Sequence, residues 1–147
     1  MAVLLDTDHF SILQRNERPA TAFLQARLEQ LTGDEIQVSI ISFQEQAQGW
    51  LAYIRRARKP GQILQGFSNL HDMLRNYSTR EILPFDEPAM EEFLRLQKQR
   101  IRIGTSDLRI AAIAKVNSVK LLSRNLRDFR QVPGLDVEDW TAQEESP

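Results

Sequence analysis

Residues 107–117 read Asp-Leu-Arg-Ile-Ala-Ala-Ile-Ala-Lys-Val-Asn, and the apolar run at 119–122 follows almost at once. The first segment predicts a helix that is apolar on most sides, and its alanines favour close packing against a sheet. The second segment predicts a buried strand. A buried helix followed by a buried strand is typical of a parallel sheet, because parallel neighbours are joined by crossover connections.

The rest of the chain repeats this alternation of strands and helices. Two further buried strands are predicted at residues 3–5 and 36–41, and residues 135–140 form a candidate edge strand in which acids separate the apolar residues. These patterns predict an α/β protein, with helices on both faces of a mostly parallel central sheet of four to five strands.

Apolar residues at helical spacing form stripes in the intervening segments. The stripes comprise Phe43, Ala47, Trp50, Leu51 and Ile54, then Ile63, Phe67, Leu70, Leu74 and Tyr77, and finally Met90, Phe93 and Leu94 within residues 88–103. Pro60-Gly61 separates the first two stripes, which predicts two antiparallel neighbouring helices. We expect Trp50, Phe67 and Tyr77 to lie in the core.

Length and composition exclude several classes of protein. The chain has 147 residues and a formal net charge of −1, and no linker divides it. We therefore expect one domain at residues 1–140 and a polar tail at 141–147. The absence of cysteine excludes disulfides and zinc–thiolate sites, and two histidines are too few for a three-histidine zinc site. No apolar run approaches a membrane span and no signal peptide is apparent, so we expect a cytoplasmic protein without membrane association.

Polar side chains stand where the predicted strands end, which is where open parallel sheets bind ligands. We expect these side chains to meet at one edge of the sheet: Asp6, Glu45, Asp107, and Asn125 or Asp128. Crowded carboxylates repel each other, and a divalent cation relieves that repulsion. Oxygen ligands favour Mg²⁺, with Mn²⁺ as a substitute, and such a metal can activate water to attack a phosphodiester.

Each of these residues also has a purely structural interpretation. Asp6 could cap the helix after the first strand, and Asp107 could be a first-turn acid favoured by the helix dipole. Ser42-Phe43-Gln44-Glu45 has the spacing of a capping box, and Asn125 and Asp128 could serve a turn. The functional interpretation is favoured because four structural explanations would be needed at four strand-end positions.

Five spaced motifs cover residues 4–140. They are Leu5-Asp6-Thr7-Asp8, Ser39-x-x-Ser42-x-x-Glu45-x-x-x-Gly49, Gly104-x-x-Asp107-x-x-Ile110-Ala111-Ala112, Ser123-Arg124-Asn125-x-x-Asp128-Phe129, and the closing stretch 132–140. In order and spacing the sequence resembles the PIN-domain ribonucleases, and specifically the VapC-type toxins of toxin–antitoxin pairs. The resemblance implies a PIN-like three-layer α/β/α sandwich.

The resemblance also implies roles for individual residues. Asp6 and Asp107 would be the principal Mg²⁺ ligands, and Glu45 would complete the acidic site. The fourth acidic position of the family falls on Asn125, which leaves Asp128 as a compensating acid or a cap. Ser123 matches a hydroxyl residue that lines the site. Asp8 stands where the family often has Asn, and these two departures favour one Mg²⁺ over two.

The function implied by the resemblance is Mg²⁺-dependent endonucleolytic cleavage of structured RNA, either transfer or ribosomal. It further implies a homodimer and a small antitoxin that occludes the site, with operator DNA bound only through the toxin–antitoxin complex. Two alternatives stay open. One is a catalytically silent PIN-like module that binds RNA or protein, and the other is a phosphatase that uses Asp6-Thr7-Asp8 as a D-x-D pair.

Basic residues add modest support for an RNA substrate. Arginines flank the motifs at Arg109, Arg124 and Arg127, which we predict to contact substrate phosphates. Residues 136–147 carry a net charge of −5, so residues 1–135 carry +4. The overall charge therefore excludes binding by bulk positive charge, but it does not exclude a metal-centred nuclease.

Overall fold

The computed structural model describes residues 1–142, and its centre is a five-stranded sheet. The strands are β1 (Val3–Leu5), β2 (Ile36–Ser39), β3 (Glu81–Leu83), β4 (Lys120–Leu122) and β5 (Val137–Glu138). They lie in the order β3-β2-β1-β4-β5, and every neighbouring pair is parallel. The predicted α/β class and strand number are thus confirmed.

Helices fill the connections between the strands. They are α1 (Thr7–Arg15), α2 (Ala20–Leu28), α3 (Ile40–Arg56), α4 (Pro60–Ser78), α5 (Glu87–Lys98), α6 (Thr105–Asn117) and α7 (Leu126–Phe129). Among residues 1–142, none of these helices is both long enough and apolar enough to cross a membrane.

Two hydrophobic cores lie on opposite faces of the sheet, because successive side chains of a strand point to opposite sides. Leu4 packs into one core with residues of α5 and α6, whereas Val3 and Leu5 pack into the other with residues of α1, α2 and α4. The alanine-rich helix α6 is buried from Ile110 to Ala114, as its sequence predicts. The molecule is therefore a three-layer α/β/α sandwich.

Three predicted elements differ clearly in their boundaries, and one strand was not predicted. The strand expected at 36–41 ends at Ser39, because the Ser39 side chain caps α3 and turns the next residues into helix. The helix expected at 88–103 spans Glu87–Lys98, and the strand expected at 135–140 is only Val137–Glu138. The edge strand β3 carries no alternating pattern and was not predicted.

The apolar stripe of α4 is only partly buried. Tyr77 is enclosed, in edge-to-face contact with Phe10 and Phe43, but Phe67 is 56% exposed and Leu74 is equally exposed. The expectation that Phe67 lies in the core is therefore wrong. Helical spacing shows that a helix has an apolar face, but it does not show that the rest of the same chain covers that face.

The single-domain boundary at residue 140 stays a prediction. Thr141 is buried and its hydroxyl donates to Asp139, so the described chain is still packed one residue beyond that boundary. Residues 143–147 of the expected polar tail lie outside the described residues.

Helices α3 and α4 form the predicted antiparallel pair, and a glycine allows their closest approach. A Cβ atom placed on Gly66 would lie 2.6 Å from Ile54 Cγ1 and 3.0 Å from Tyr53 Cδ1. The first distance is too short for a real Cβ contact and the second is unusually tight, so a larger residue would force the Ile54 and Tyr53 side chains or the helices to shift.

We expect Gly66→Ala to lower the free energy of unfolding by about 1–3 kcal/mol, because the added methyl group overpacks the α3–α4 contact. Gly49→Ala is the matched control, since Gly49 lies inside α3 with open space around it. There the same change should raise stability by about 0.5–1 kcal/mol through helix propensity. Urea denaturation of both variants measures the difference, and equal stabilisation by the two alanines would contradict this packing account.

Candidate active site

The strand order creates a crevice at the carboxyl edge of the sheet. From β1 the chain moves to β2 and β3 on one side and returns to β4 and β5 on the other, so β1 is the point where the winding reverses. A cavity of about 550 Å³ opens at this edge, and we call it the acidic cavity. Five of the predicted site residues line it: Asp6, Glu45, Asp107, Arg124 and Asn125.

Asp6 directly follows the central strand and is 6% exposed. Its side chain caps α1, because Oδ1 accepts a hydrogen bond of 2.8 Å from the backbone N–H of His9. The positive end of the α1 dipole also favours an anion here. The structural and functional interpretations of Asp6 are therefore compatible: the same carboxylate caps a helix and lines the cavity.

His9 is fully buried behind Asp6. Its Nε2 accepts the backbone N–H of Trp140 at 3.3 Å, and its Nδ1 lies 3.5 Å from Asp6 Oδ1 but has no hydrogen-bond partner in the described part of the chain. The imidazole thus lies between the C-terminal part of the chain and the central carboxylate. Sequence reasoning missed this residue, and its position three residues after a capping aspartate is the only signal that could have indicated it.

Glu45 reaches the acidic cavity from the second turn of α3. The N-cap of this helix is Ser39, whose Oγ accepts the backbone N–H of Ser42 at 3.1 Å. The alternative in which Ser42 and Glu45 form a capping box is therefore wrong. Glu45 Oε1 instead accepts the Thr7 hydroxyl at 2.9 Å, and Thr7 shares a second hydrogen bond of 2.9 Å with the Ser42 hydroxyl.

Asp107 lies in the first turn of α6, where the N-cap is Gly104 and offers no side-chain cap. Burial raises the pKa of the Asp107 carboxyl above its ordinary value, and the charges of Asp6 and Glu45 raise it further. The Asn125 amide opposes this shift, because Nδ2 donates to Asp107 Oδ2 at 3.4 Å. The Asp107 carboxyl thus lies within the electrostatic influence of carboxylates from two other segments.

The turn after β4 settles the relative placement of Asn125 and Asp128. Asn125 lines the cavity, and its Nδ2 also donates to Asp128 Oδ2 at 2.9 Å. Asp128 does not line the cavity and fixes the Asn125 side chain through this bond. Ser123 is fully buried, and its Oγ accepts the backbone N–H of Asn125 at 2.9 Å. Ser123 therefore supports the turn. It was predicted to line the site, but it is not among the residues that line the acidic cavity.

The predicted basic residues separate into two groups. Arg124 lines the acidic cavity, with Nε 3.8 Å from Asp8 Oδ2 at its rim. Arg127 is exposed on α7, and the Arg109 guanidinium lies 5.5 Å from the centre of the Phe93 ring, where it is attracted to the ring face. Neither of these two lines the cavity within residues 1–142.

Helix α1 supplies cavity residues that sequence reasoning did not assign. Thr7, Ser11 and Arg15 all line the acidic cavity. They are spaced at i, i+4 and i+8, which places them on one face of the helix. That spacing, read forward from a strand-end aspartate, is a signal that could have identified them.

The donor set suits a hard divalent cation, although the carboxylates are engaged by protein donors. Within residues 1–142, no group of three or more Asp, Glu or His side chains is arranged so that it could hold a metal ion. Asp6, Glu45 and Asp107 each accept a hydrogen bond from the protein. Oxygen ligands and crowded negative charge fit Mg²⁺ or Mn²⁺, provided that these side chains exchange protein donors for the ion.

Known proteins share the domain type and the fold of this chain. The family model of the PIN domain matches residues 3–135. A segment of 60 residues is 43% identical to "Ribonuclease VapC1" of Rickettsia felis, covering 38% of this chain and 45% of that relative. The chain thus spans less than half the length of this curated relative.

Solved structures reproduce the whole fold. VapBC-1 from nontypeable Haemophilus influenzae is 23% identical, with a TM-score of 0.75 over 97% of this chain and 100% of that chain. DNA-bound VapBC from Salmonella typhimurium is 22% identical, with a TM-score of 0.74 over 95% of this chain and 98% of that chain. At these identities the likeness concerns the fold, and it confirms the PIN-like architecture.

We expect Asp107→Asn to stabilise the metal-free chain at neutral pH by about 0.5–2 kcal/mol, because it removes one of the repelling charges. An acid whose pKa is raised on folding costs stability above its folded pKa and nothing below its unfolded value of 3.8. The gain should therefore disappear as the pH falls below that value. Urea denaturation in EDTA across this pH range measures it, and a gain that persists at low pH would point to a cause other than charge.

Proposed function

The chain belongs to the PIN domain family, and on that premise we propose that it is a VapC-type endoribonuclease toxin that cleaves structured RNA with the help of Mg²⁺. The observation that carries the proposal is the acidic cavity, where Asp6, Glu45 and Asp107 meet at the reversal point of the sheet. The named function of the Rickettsia felis relative supports it. Transfer or ribosomal RNA is the proposed substrate.

Asp6 and Asp107 would hold the metal, with Glu45 completing the site directly or through water. The chemistry supplied by a bound ion would be a lowered pKa of a water molecule and an offset of charge on the phosphate. Thr7 fixes the Glu45 carboxylate through its hydroxyl, and the Asn125 amide orients Asp107. Each acid is thus held by a neighbouring donor, and binding of the metal would require these side chains to exchange such donors for the ion.

Two arginines can receive the phosphodiester. Arg124 and Arg15 both line the acidic cavity and are exposed, so their guanidinium groups are available to phosphate oxygens. They would also offset the negative charge that an RNA strand meets on entering an acidic site. No covalent intermediate is needed, since water is the nucleophile.

The proposed partners follow from the family and its solved structures. The Haemophilus influenzae and Salmonella typhimurium neighbours are VapBC complexes, and the second is bound to DNA. We propose a cytoplasmic homodimer that pairs with a small antitoxin and reaches operator DNA only through that complex. The exposed apolar residues of α4, Phe67 and Leu74 among them, are suited to a protein contact.

The acidic cavity favours a nuclease over a D-x-D phosphatase. In such a phosphatase Asp6 would be the nucleophile, assisted by a lysine. Lysines of this chain are committed elsewhere or exposed: Lys115 pairs with Glu92, and Lys120 pairs with Glu138. Within residues 1–142, no lysine lines the acidic cavity.

We expect Asp6→Asn and Asp107→Asn each to lower the rate of RNA cleavage roughly 10³-fold, because a metal-dependent step is worth several kcal/mol. Excess EDTA should abolish cleavage by the unmodified chain. Asp136→Asn is the matched control, since Asp136 is exposed and does not line the acidic cavity. Cleavage of total RNA, followed by sequencing of the new ends, measures all four conditions.

Full cleavage in EDTA would overturn the metal-dependent mechanism. Binding of RNA without any cleavage in Mg²⁺ would instead support the silent-module alternative. A Mg²⁺ titration by calorimetry separates these results, since only the metal-dependent enzyme should show heat that Asp107→Asn removes.

Thr7 is a positioning residue in this proposal. We expect Thr7→Val to lower cleavage roughly 10–100-fold by freeing the Glu45 carboxylate, whereas Thr7→Ser should keep most of it. The Mg²⁺ concentration needed for half-maximal rate should rise in Thr7→Val alone. An unchanged Mg²⁺ requirement in that variant would limit Thr7 to a structural role.

A further inference from the structure

A second cavity, of about 860 Å³, lies between α1, α3 and α4. It adjoins the acidic cavity, because Ser11 and Arg15 line both. We call it the amide groove. Its volume is within the roughly 300–1,000 Å³ that is usual for small-molecule sites. Anything bound at the acidic cavity and extended along α1 would therefore enter it.

Two glutamines face each other at the junction of the two cavities. Gln46 Nε2 donates to Ser11 Oγ at 2.9 Å and to Gln14 Oε1 at 3.0 Å, and Gln14 Nε2 donates to Gln46 Oε1 at 3.4 Å. These bonds use both N–H groups of Gln46 and one of Gln14. The second Gln14 N–H has no hydrogen-bond partner among the described residues, and it stands beside carbonyl oxygens with spare lone pairs. The pair thus presents a donor next to acceptors.

Aromatic residues line the same groove. Trp50 and Tyr53 are half-buried on its wall, and their rings meet edge to face with centroids 5.8 Å apart. Charged residues of the groove are mainly basic: Arg15, Arg56 and Arg75 stand against one acid, Asp72. All four of these charged residues are exposed.

We propose that the amide groove is a subsite for an unpaired nucleobase that neighbours the scissile phosphate. Gln14 and Gln46 would bind the hydrogen-bonding edge of the base, and Trp50 would stack on its face. Arg15, which lines both cavities, would contact the scissile phosphate on the side of this base. This inference rests on the proposed ribonuclease function, and it adds the location at which the enzyme recognises the nucleotide sequence.

The combination of groups favours a nucleobase over a peptide. Sequence-specific RNA recognition commonly uses splayed bases that stack on aromatic rings and pair their edges with polar side chains. Paired glutamine amides match the donor and acceptor groups that lie side by side on a base edge. The positive balance of the groove suits a phosphate backbone, and the two residues that it shares with the acidic cavity place it beside the proposed cleavage site.

Binding can be measured separately from catalysis. The full chain carrying Asp107→Asn is titrated with a short single-stranded oligoribonucleotide of mixed sequence while tryptophan emission is recorded. Trp140 is 3% exposed under the Arg27 guanidinium, so quenching by a stacked base should come from Trp50. Adding Trp50→Leu should remove the quenching and weaken binding roughly tenfold.

Base selection is tested in the active chain. Gln14→Met keeps the length of the side chain but removes its amide, and Gln48→Met is the matched control on an exposed face of α3 outside the groove. Sequencing of the cleaved ends gives the nucleotide preference beside the cut. Gln14→Met should lower the strongest preference roughly tenfold relative to the other bases, with cleavage retained, and Gln48→Met should leave it unchanged.

An unchanged nucleotide preference in Gln14→Met would overturn the subsite, even if that variant lost affinity for a protein partner. Quenching that survives Trp50→Leu would overturn it as well. Failure of the proposed function has a different signature, because the unmodified chain would then cut no RNA in Mg²⁺. Quenching that depends on Trp50, together with an altered nucleotide preference in Gln14→Met, would support the nucleobase subsite.

Discussion

Repulsion among carboxylates at the end of the central strand is the constraint on which the rest of the site depends. Burial raises the pKa of the Asp107 carboxyl, and the nearby charges of Asp6 and Glu45 raise it further. The chain tolerates this crowding by giving each acid a donor: the His9 backbone N–H, the Thr7 hydroxyl and the Asn125 amide. The first two donors follow β1, and the third follows β4. The segments after these two neighbouring strands therefore hold all three acids.

The parallel sheet creates that constraint as much as it accommodates it. β1 lies between β2 and β4, and the winding of the sheet reverses there. This placement brings three chain segments together at the carboxyl edge of the sheet. Burial of Leu4, Leu5 and Leu121 on both faces fixes the strands in register, and the site inherits that rigidity. Stability of the sandwich therefore offsets an electrostatically unfavourable edge, as is common at functional sites.

The acids could be predicted from sequence because strand ends and motif spacing place them without knowledge of side-chain contacts. Contacts decide the rest. Ser39 and Ser42 both have N-cap chemistry, and only the backbone path shows that Ser39 caps α3 and frees Glu45 for Thr7. Ser123 fits the motif, yet its burial gives it a supporting role. The edge strand β3 lacks periodicity, and the exposure of Phe67 depends on what covers α4 rather than on helical spacing.

Charge explains why recognition would combine an ion, a few arginines and neutral amides. The net charge is −1, with acids concentrated both in the cavity and in the last twelve residues, so bulk attraction to RNA is weak. Arg15 and Arg124 can position a phosphate, but phosphate contacts carry no sequence information. Selectivity then has to come from groups that read base edges. The Gln14–Gln46 pair can do so without adding charge, and its bond to Ser11 places it one helical turn from Thr7, which holds Glu45.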